Sequence, residues 1–400
     1  MINKKVSRII GPVAGIMGIV MVMGTVPVSV YAADTAVSQN KQSVYETEEN
    51  GVKFKITDIL ATKHKIKVKG VIERKDASIE MDHKSLNLNL YMDNFRDQKS
   101  KGMSWGNINE NLVEVEADIE TEDVIPENGE LVASLILGKY DFNKSIVIPL
   151  DLRESLSKVI EKDLNEKVND NAQIVKFESD IIGTRIVINE KYSDEDDSDE
   201  EYGFSHNDKT NYIIKIGDNI YREDSISGDY DDDNENLSKT IEYEDVTYDD
   251  IKEGEKISII PVELNMEDRE LENYYRNEYE NLDNNKVVEN NIKYNNEIEF
   301  KNGNKGKIQV ERADNKIKFY CASESNKDSL LMAINIFGGY TDSKSINGEN
   351  RPVVYKDNSK EHVYVVEYKD TDKDGTFETY LDGRITYNDK FEFGNEIEIK

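Results

Sequence analysis

The sequence predicts an all-β protein: a tandem of antiparallel β-sandwich domains with short helical linkers, preceded by an N-terminal export segment. Three observations carry the prediction. Apolar and polar residues alternate with a period of two over many short segments. Turn signals such as Glu127-Asn128-Gly129 separate those segments. Their short, regular spacing suits hairpins and not the longer crossovers of βαβ units.

Taken in chain order, the first element is the export segment, residues 1–32. Lys4, Lys5 and Arg8 precede residues 9–30, which carry no charge, and Val30-Tyr31-Ala32 offers small residues at the −3 and −1 positions of a cleavage site. Two outcomes stay open. Cleavage after Ala32 releases a secreted chain, whereas the same apolar run is also long enough to remain as a membrane anchor. Either outcome places the remainder outside the cytoplasm, secreted or at the cell surface.

A first sandwich is expected over 43–150. Val52, Phe54 and Ile56 alternate with lysines; Leu86, Leu88 and Leu90 alternate with Asn87, Asn89 and Tyr91; Val113, Val115, Ala117 and Ile119 alternate with acids. The pattern continues through Ile66–Val68, Leu131–Leu137 and Ile146–Ile148. Next, Leu152, Leu156, Val159, Ile160 and Leu164 recur at helical spacing behind a possible Asp151/Glu154 capping box, which predicts a short helical crossover.

A second sandwich follows over 170–264. Its signals are Ile186 and Ile188, Tyr212–Ile216 running into a Gly217-Asp218-Asn219 hairpin turn, and Lys256–Pro261. Two acidic insertions interrupt it, residues 192–208 with eight acids and residues 223–235 with seven, and neither contains a lysine or arginine. They suit solvated loops, or a surface that collects cations or a basic partner. Leu271, Tyr274, Tyr275, Tyr279 and Leu282 then fit a linking helix whose aromatic stripe packs. Alternation resumes to give a third β domain over 290–400.

Composition removes several functions. The 82 acids and 51 bases leave a net charge of −31, which repels nucleic acid. Membrane contact is expected only through the N-terminal segment. Cys321 is the only cysteine, so the chain forms no internal disulfide, and its apolar strand context suits a buried thiol.

Candidate chemistry is sparse. Gly102-Met103-Ser104-Trp105-Gly106 matches G-x-S-x-G, but the polar stretch before it and the strand after it do not form the strand-turn-helix that hydrolases need. The four histidines, His64, His83, His206 and His362, come with no triad signature, and His64 lies in a lysine-rich turn. Residues 368–380, YKDTDKDGTFETY, hold the other candidate. Asp370, Asp372, Asp374, Gly375 and Thr376 follow the first half of a calcium loop, with Glu378 at its ninth position. Leu381 stands where a bidentate glutamate is required, and the flanks read as strands. Two readings remain: a plain acidic hairpin, or a weak Ca2+ site completed by another loop.

A resemblance completes the picture. The segments NGVKFKITDILATKHKIKVKGVIE (50–73), KSIVIPLDL (144–152), Gly183-Thr184-Arg185-Ile186-Val187-Ile188 and EGEKISIIPVEL (253–264) resemble a domain-of-unknown-function family. In that family, tandem immunoglobulin-like sandwiches form the extracytoplasmic part of Gram-positive, anti-sigma-factor-like membrane proteins. The resemblance covers roughly 45–265 and implies fold and location, with no catalytic residues. Signalling members carry a cytoplasmic segment before the membrane span, whereas only eight residues precede residue 9 here, so a signalling role would need a separate membrane partner. The expectation is an exported, non-catalytic interaction or sensing module whose partner is a protein or another cell-envelope component. The alternatives are the ectodomain of an envelope-stress regulator and an exported hydrolase.

Overall fold

The computed structural model describes residues 45–399 except 76–77, 80–85, 93–98, 122, 192–208, 231–235, 245, 252–254, 268–269, 272–273, 275–285, 289–294 and 341–351. The predicted export segment, the first acidic insertion, His83, His206 and most of the 271–282 stripe therefore lie outside the described residues. The fold is all-β, built from antiparallel sheets packed face to face.

The first unit holds β1 (Glu46–Glu49), β2 (Val52–Ala61), β3 (Lys65–Arg74), β4 (Leu86–Met92), β5 (Lys99–Asn109), β6 (Leu112–Glu120), β7 (Asn128–Leu137) and β8 (Phe142–Asp151). A five-stranded sheet, β1-β2-β3-β6-β5, faces a three-stranded sheet, β4-β7-β8. Alternation sets which side chains meet. In β4 the leucines are buried while Asn87, Asn89 and Tyr91 face water. Phe54, Ile66, Ile72, Val113 and Val115 from one sheet close one core with Leu131, Leu135 and Phe142 from the other. Gly70 is required there, since a Cβ would lie 2.9 Å from the Phe54 ring.

The stretch after Asp151 departs from expectation. Only Ser155–Ser157 forms a helical turn, of the 3-10 type, and residues 160–167 form a strand in place of the predicted crossover. The reason is that β9 (Ile160–Lys167) is an edge strand, with seven of its eight residues at least partly exposed and Leu164 alone buried. Such a strand needs no alternating pattern, and its charges keep the edge from pairing further.

The second unit adds β10 (Ala172–Ser179), β11 (Thr184–Lys191), β12 (Thr210–Ile216), β13 (Asn219–Arg222), β14 (Ser225–Tyr230), β15 (Asn236–Tyr243) and β16 (Ile257–Leu264). One of its sheets is five-stranded, β14-β15-β11-β10-β9. The turn at Gly217-Asp218 is the predicted hairpin, with Gly217 at φ +58° and Ile216 opposite Asn219.

The third unit contributes β17 (Lys286–Val288), β18 (Asn295–Glu299), β19 (Lys305–Ala313), β20 (Lys316–Ser323), β21 (Ile336–Tyr340), β22 (Val353–Lys356), β23 (Val363–Lys369), β24 (Phe377–Leu381), β25 (Phe391–Phe393) and β26 (Ile397–Glu398). It also holds a helix that the alternation did not reveal, α1 (Asn326–Ile334), capped by the Ser325 hydroxyl, which accepts from the Asp328 amide at 3.0 Å.

The sheet runs straight across the expected boundary at 264–290. A single ten-stranded sheet has the order β18-β19-β20-β23-β22-β13-β12-β16-β25, with β26 also on β16. Strand β13 pairs with β22, and β16 pairs with both C-terminal strands. The middle strands are consequently buried on both faces. Tyr212, Ile214, Ile216, Ile257 and Ile259 face one core, while Ile213, Val262 and Leu264 face the next. This accounts for the unbroken apolar run Tyr212-Ile213-Ile214, because a strand between two cores has no polar side. Leu271 and Tyr274 are buried in the third core, as a packing stripe requires.

Candidate functional site

The predicted 370–378 site lies between β23 and β24, and these strands belong to different sheets. It is therefore a crossover and not the expected hairpin. Its turn is closed by the Gly375 amide donating to the Asp372 carbonyl at 3.0 Å. The loop already holds a cation, the guanidinium of Arg312. Arg312 donates to both carboxylate oxygens of Asp370 at 2.8 Å, to the Gly375 carbonyl at 3.0 Å and to the Asp372 carbonyl at 2.6 Å. Tyr340 adds its hydroxyl to Asp370 at 2.5 Å. Burial raises the Asp370 carboxyl, but the bonds from Arg312 and Tyr340 outweigh it and hold the group below its ordinary range. Asp372 accepts from the Asp374 and Gly375 amides. Asp374 and Thr376 face water and Glu378 is half-buried in β24. The geometry that sequence spacing assigned to calcium is thus arranged around an arginine 58 residues upstream of Asp370.

Ser104 of the G-x-S-x-G stretch sits exposed within β5, paired opposite Glu116 of β6, and not on a strand-to-helix turn.

The structure instead draws attention to the joint between the first and second units, where the lysine-rich turn 62–65 closes β2 onto β3. The Thr62 amide donates to the Lys65 carbonyl at 2.8 Å, and the Thr121 amide donates to the His64 carbonyl at 3.0 Å, so the turn is fixed from behind. It rests on a cross-strand row of the second unit in which Glu161, Glu178, Arg185 and Glu242 stand opposite one another on β9, β10, β11 and β15. Three successive turn residues meet three carboxylates of that row. Lys63 pairs with Glu161, His64 lies over Glu178, and Lys65 reaches Glu242 at 3.5 Å while holding Glu120 of its own unit at 3.1 Å. The Thr62 hydroxyl donates to the Lys65 carbonyl and accepts from its amide, both at 3.2 Å.

Electrostatics fit this arrangement. Burial opposes the charge on Lys65, yet Glu242, Glu120 and Asp118 together raise its affinity for its proton. Hydrogen bonds from Lys176 and Lys63 bring Glu161 down to about 2. His64 is the exception: burial lowers it, and neither Nδ1 nor Nε2 has a hydrogen-bond partner, although the residue is only 5% exposed. Glu178, 2% exposed, accepts at Oε2 from Arg185 at 3.0 Å, with Lys176 3.3 Å from the same oxygen, and leaves Oε1 unpartnered. These groups line one small cavity with Lys65, Glu120, Asp180, Gly183 and Glu244. Sequence reasoning noted His64 and its lysines but had no means of finding Glu161, Glu178 and Glu242, which three separate strands bring together.

One further surface stands out. On the outer face of β4-β7-β8 three successive cross-strand rows hold no charge: Asn87 with Ile136 and Asn143, Asn89 with Ser134 and Ser145, and Tyr91 with Val132 and Val147; Glu130 opposite Pro149, and Asp151 beyond it, bound them at one end. Tyr91 and Val147 flank Val132 in one row and are 42% and 52% exposed.

No protein family matches this sequence, and no curated protein matches it. Among solved structures the chain is similar to one titled "The crystal structure of the conserved domain protein from Bacillus anthracis", with 12% identity and a TM-score of 0.39 over 59% of this chain and 86% of that one. A likeness of that degree carries no functional argument.

Proposed function

We propose that the chain is an exported, non-catalytic interaction module that docks a protein of the cell envelope through the outer face of β4-β7-β8. The observation that carries this reading is the patch of three charge-free rows on that sheet face, in a molecule in which 33% of residues are charged and the net charge is −31. An acidic surface repels most acidic neighbours, so the neutral patch is where close approach costs least desolvation. Its composition of Tyr, Asn and Ser around apolar side chains suits protein recognition, because these residues combine contact area with adaptable hydrogen bonding. The export segment and the resemblance noted in the sequence support the location.

The test is retention of the purified chain on envelope fractions of the producing cell at low and at 0.5 M salt. Retention that is insensitive to salt, and lost in a Tyr91→Asp, Val147→Asp double variant with unchanged thermal stability, is expected. Equal retention of the double variant would sink the reading.

A further inference from the structure

The row of pairs across the joint is complete at both ends and open in the middle. Lys63 and Lys65 each meet a carboxylate of the second unit, whereas His64 and Glu178, both more than nine-tenths buried, line one cavity and keep polar atoms without a hydrogen-bond partner. We propose that the joint binds one divalent transition-metal ion of the zinc class, held by an imidazole nitrogen of His64 and by carboxylate oxygens of Glu178 and Glu161. The ion clasps the first unit to the second.

Geometry supports the assignment. One ligand atom from each of the three residues lies within 4.8 Å of the others. Ligands of a tetrahedral zinc ion stand roughly 3.4 Å apart, so small rotations of the two glutamates close the set. One imidazole with carboxylates is a borderline donor set that suits zinc and neighbouring first-row ions better than calcium. Charge points the same way. Glu120, Glu178, Asp180, Glu242 and Glu244 line the cavity with Lys65 and Arg185, and Asp118 stands 3.6 Å from Lys65. Carboxylates outnumber bases around the cavity, which favours uptake of a cation.

The ion has competitors. Lys63 and Lys176 already hold Glu161, but their side chains are 27% and 26% exposed and can swing into water on flexible stems. Binding is therefore an exchange of ammonium for metal at Glu161, and removing one ammonium should strengthen it.

Calorimetric titration of the full chain with zinc chloride, with calcium and magnesium chloride for comparison, tests the proposal, and cobalt(II) absorption reports the coordination. The expected result is one zinc equivalent that His64→Gln and Glu178→Gln each weaken by about tenfold or more, and that Lys63→Met tightens. Zinc titrations that are superimposable for the wild type and His64→Gln would overturn it. Should His64→Gln fail to fold, nitrogen-15 spectra of the wild type decide. Zinc must shift the His64 ring nitrogens, and an unmoved ring overturns the proposal equally.

Discussion

The first unit and the rest of the molecule solve the same packing problem in different ways. Residues 46–152 close a core between two sheets of their own, and they meet the second unit through a polar joint at the turn 62–65. Residues 160–399 have two cores that share β12 and β16 as a common wall, so neither is complete without the other. Period-two alternation builds an independent sandwich. Strands apolar on both sides build a fused one, and cooperativity should follow that division.

The largest expected effect comes from cutting the chain along this line. A fragment of residues 43–158 should melt cooperatively by circular dichroism, whereas residues 159–268 alone should stay unfolded. That fragment lacks β25, β26 and the side chains that cover Ile213, Val262 and Leu264. A cooperative melt of the second fragment would remove the distinction.

Arg312→Leu sharpens the comparison in the intact chain. It leaves the Asp370 carboxylate buried without its cation, at a cost of about 3–5 kcal/mol. Trp105 is the only tryptophan and packs against the first core, so its fluorescence reports that unit alone. In denaturant the dichroism transition of the fused part should move to lower concentration while the tryptophan transition stays in place. Gly70→Ala should do the reverse. Its new methyl group meets the Phe54 ring and the Lys55 carbonyl, at 2.9 and 3.0 Å, and should lower the tryptophan midpoint alone by about 1–3 kcal/mol.

The smallest effect is a pH dependence confined to the fused part. Burial pushes Glu223 up to about 7, against the hydrogen bond that its Oε2 accepts from the Tyr212 amide at 2.8 Å. The folded chain then holds this proton more tightly than the unfolded one, so the stability it contributes is lost as pH rises from the ordinary carboxylate range through 7. Glu223→Gln keeps the acceptor and removes the charge. It should raise the dichroism midpoint at pH 8 by about 1–2 kcal/mol, allowing for screening at this half-buried position, and leave it unchanged at pH 4.5. Equal gains at both pH values would show that the carboxyl is not the cause.

What could be read from the sequence follows the same division. Strands with one wet face announce themselves, as Leu86, Leu88 and Leu90 do, because each residue's burial is set by its own parity. An edge strand such as β9 carries no such mark, and chance spacing of Leu156, Val159, Ile160 and Leu164 imitates a helix. The run Tyr212-Ile213-Ile214 was visible as a strand, but its lack of alternation was the sign of a shared wall. At the candidate sites, spacing along the chain exposed Asp370, Asp372 and Asp374. It was silent about Arg312, because that contact depends on how two sheets are laid together. The joint was legible only on its His64 side, since Glu161, Glu178 and Glu242 become neighbours through strand register.

The place of β26 fixes an order of events during synthesis. Ile397 and Glu398 zip onto β16, and Lys162 donates to the Ile399 carbonyl at 2.5 Å, so residues 397–399 finish a wall begun far upstream. At the usual pace of a ribosome, about 5–20 residues per second, the first sandwich can mature while the second waits about 7–27 s for its closing strand. During that interval β16 exposes an unsatisfied edge and a bare apolar side, which makes the half-made chain a natural client for a holding chaperone.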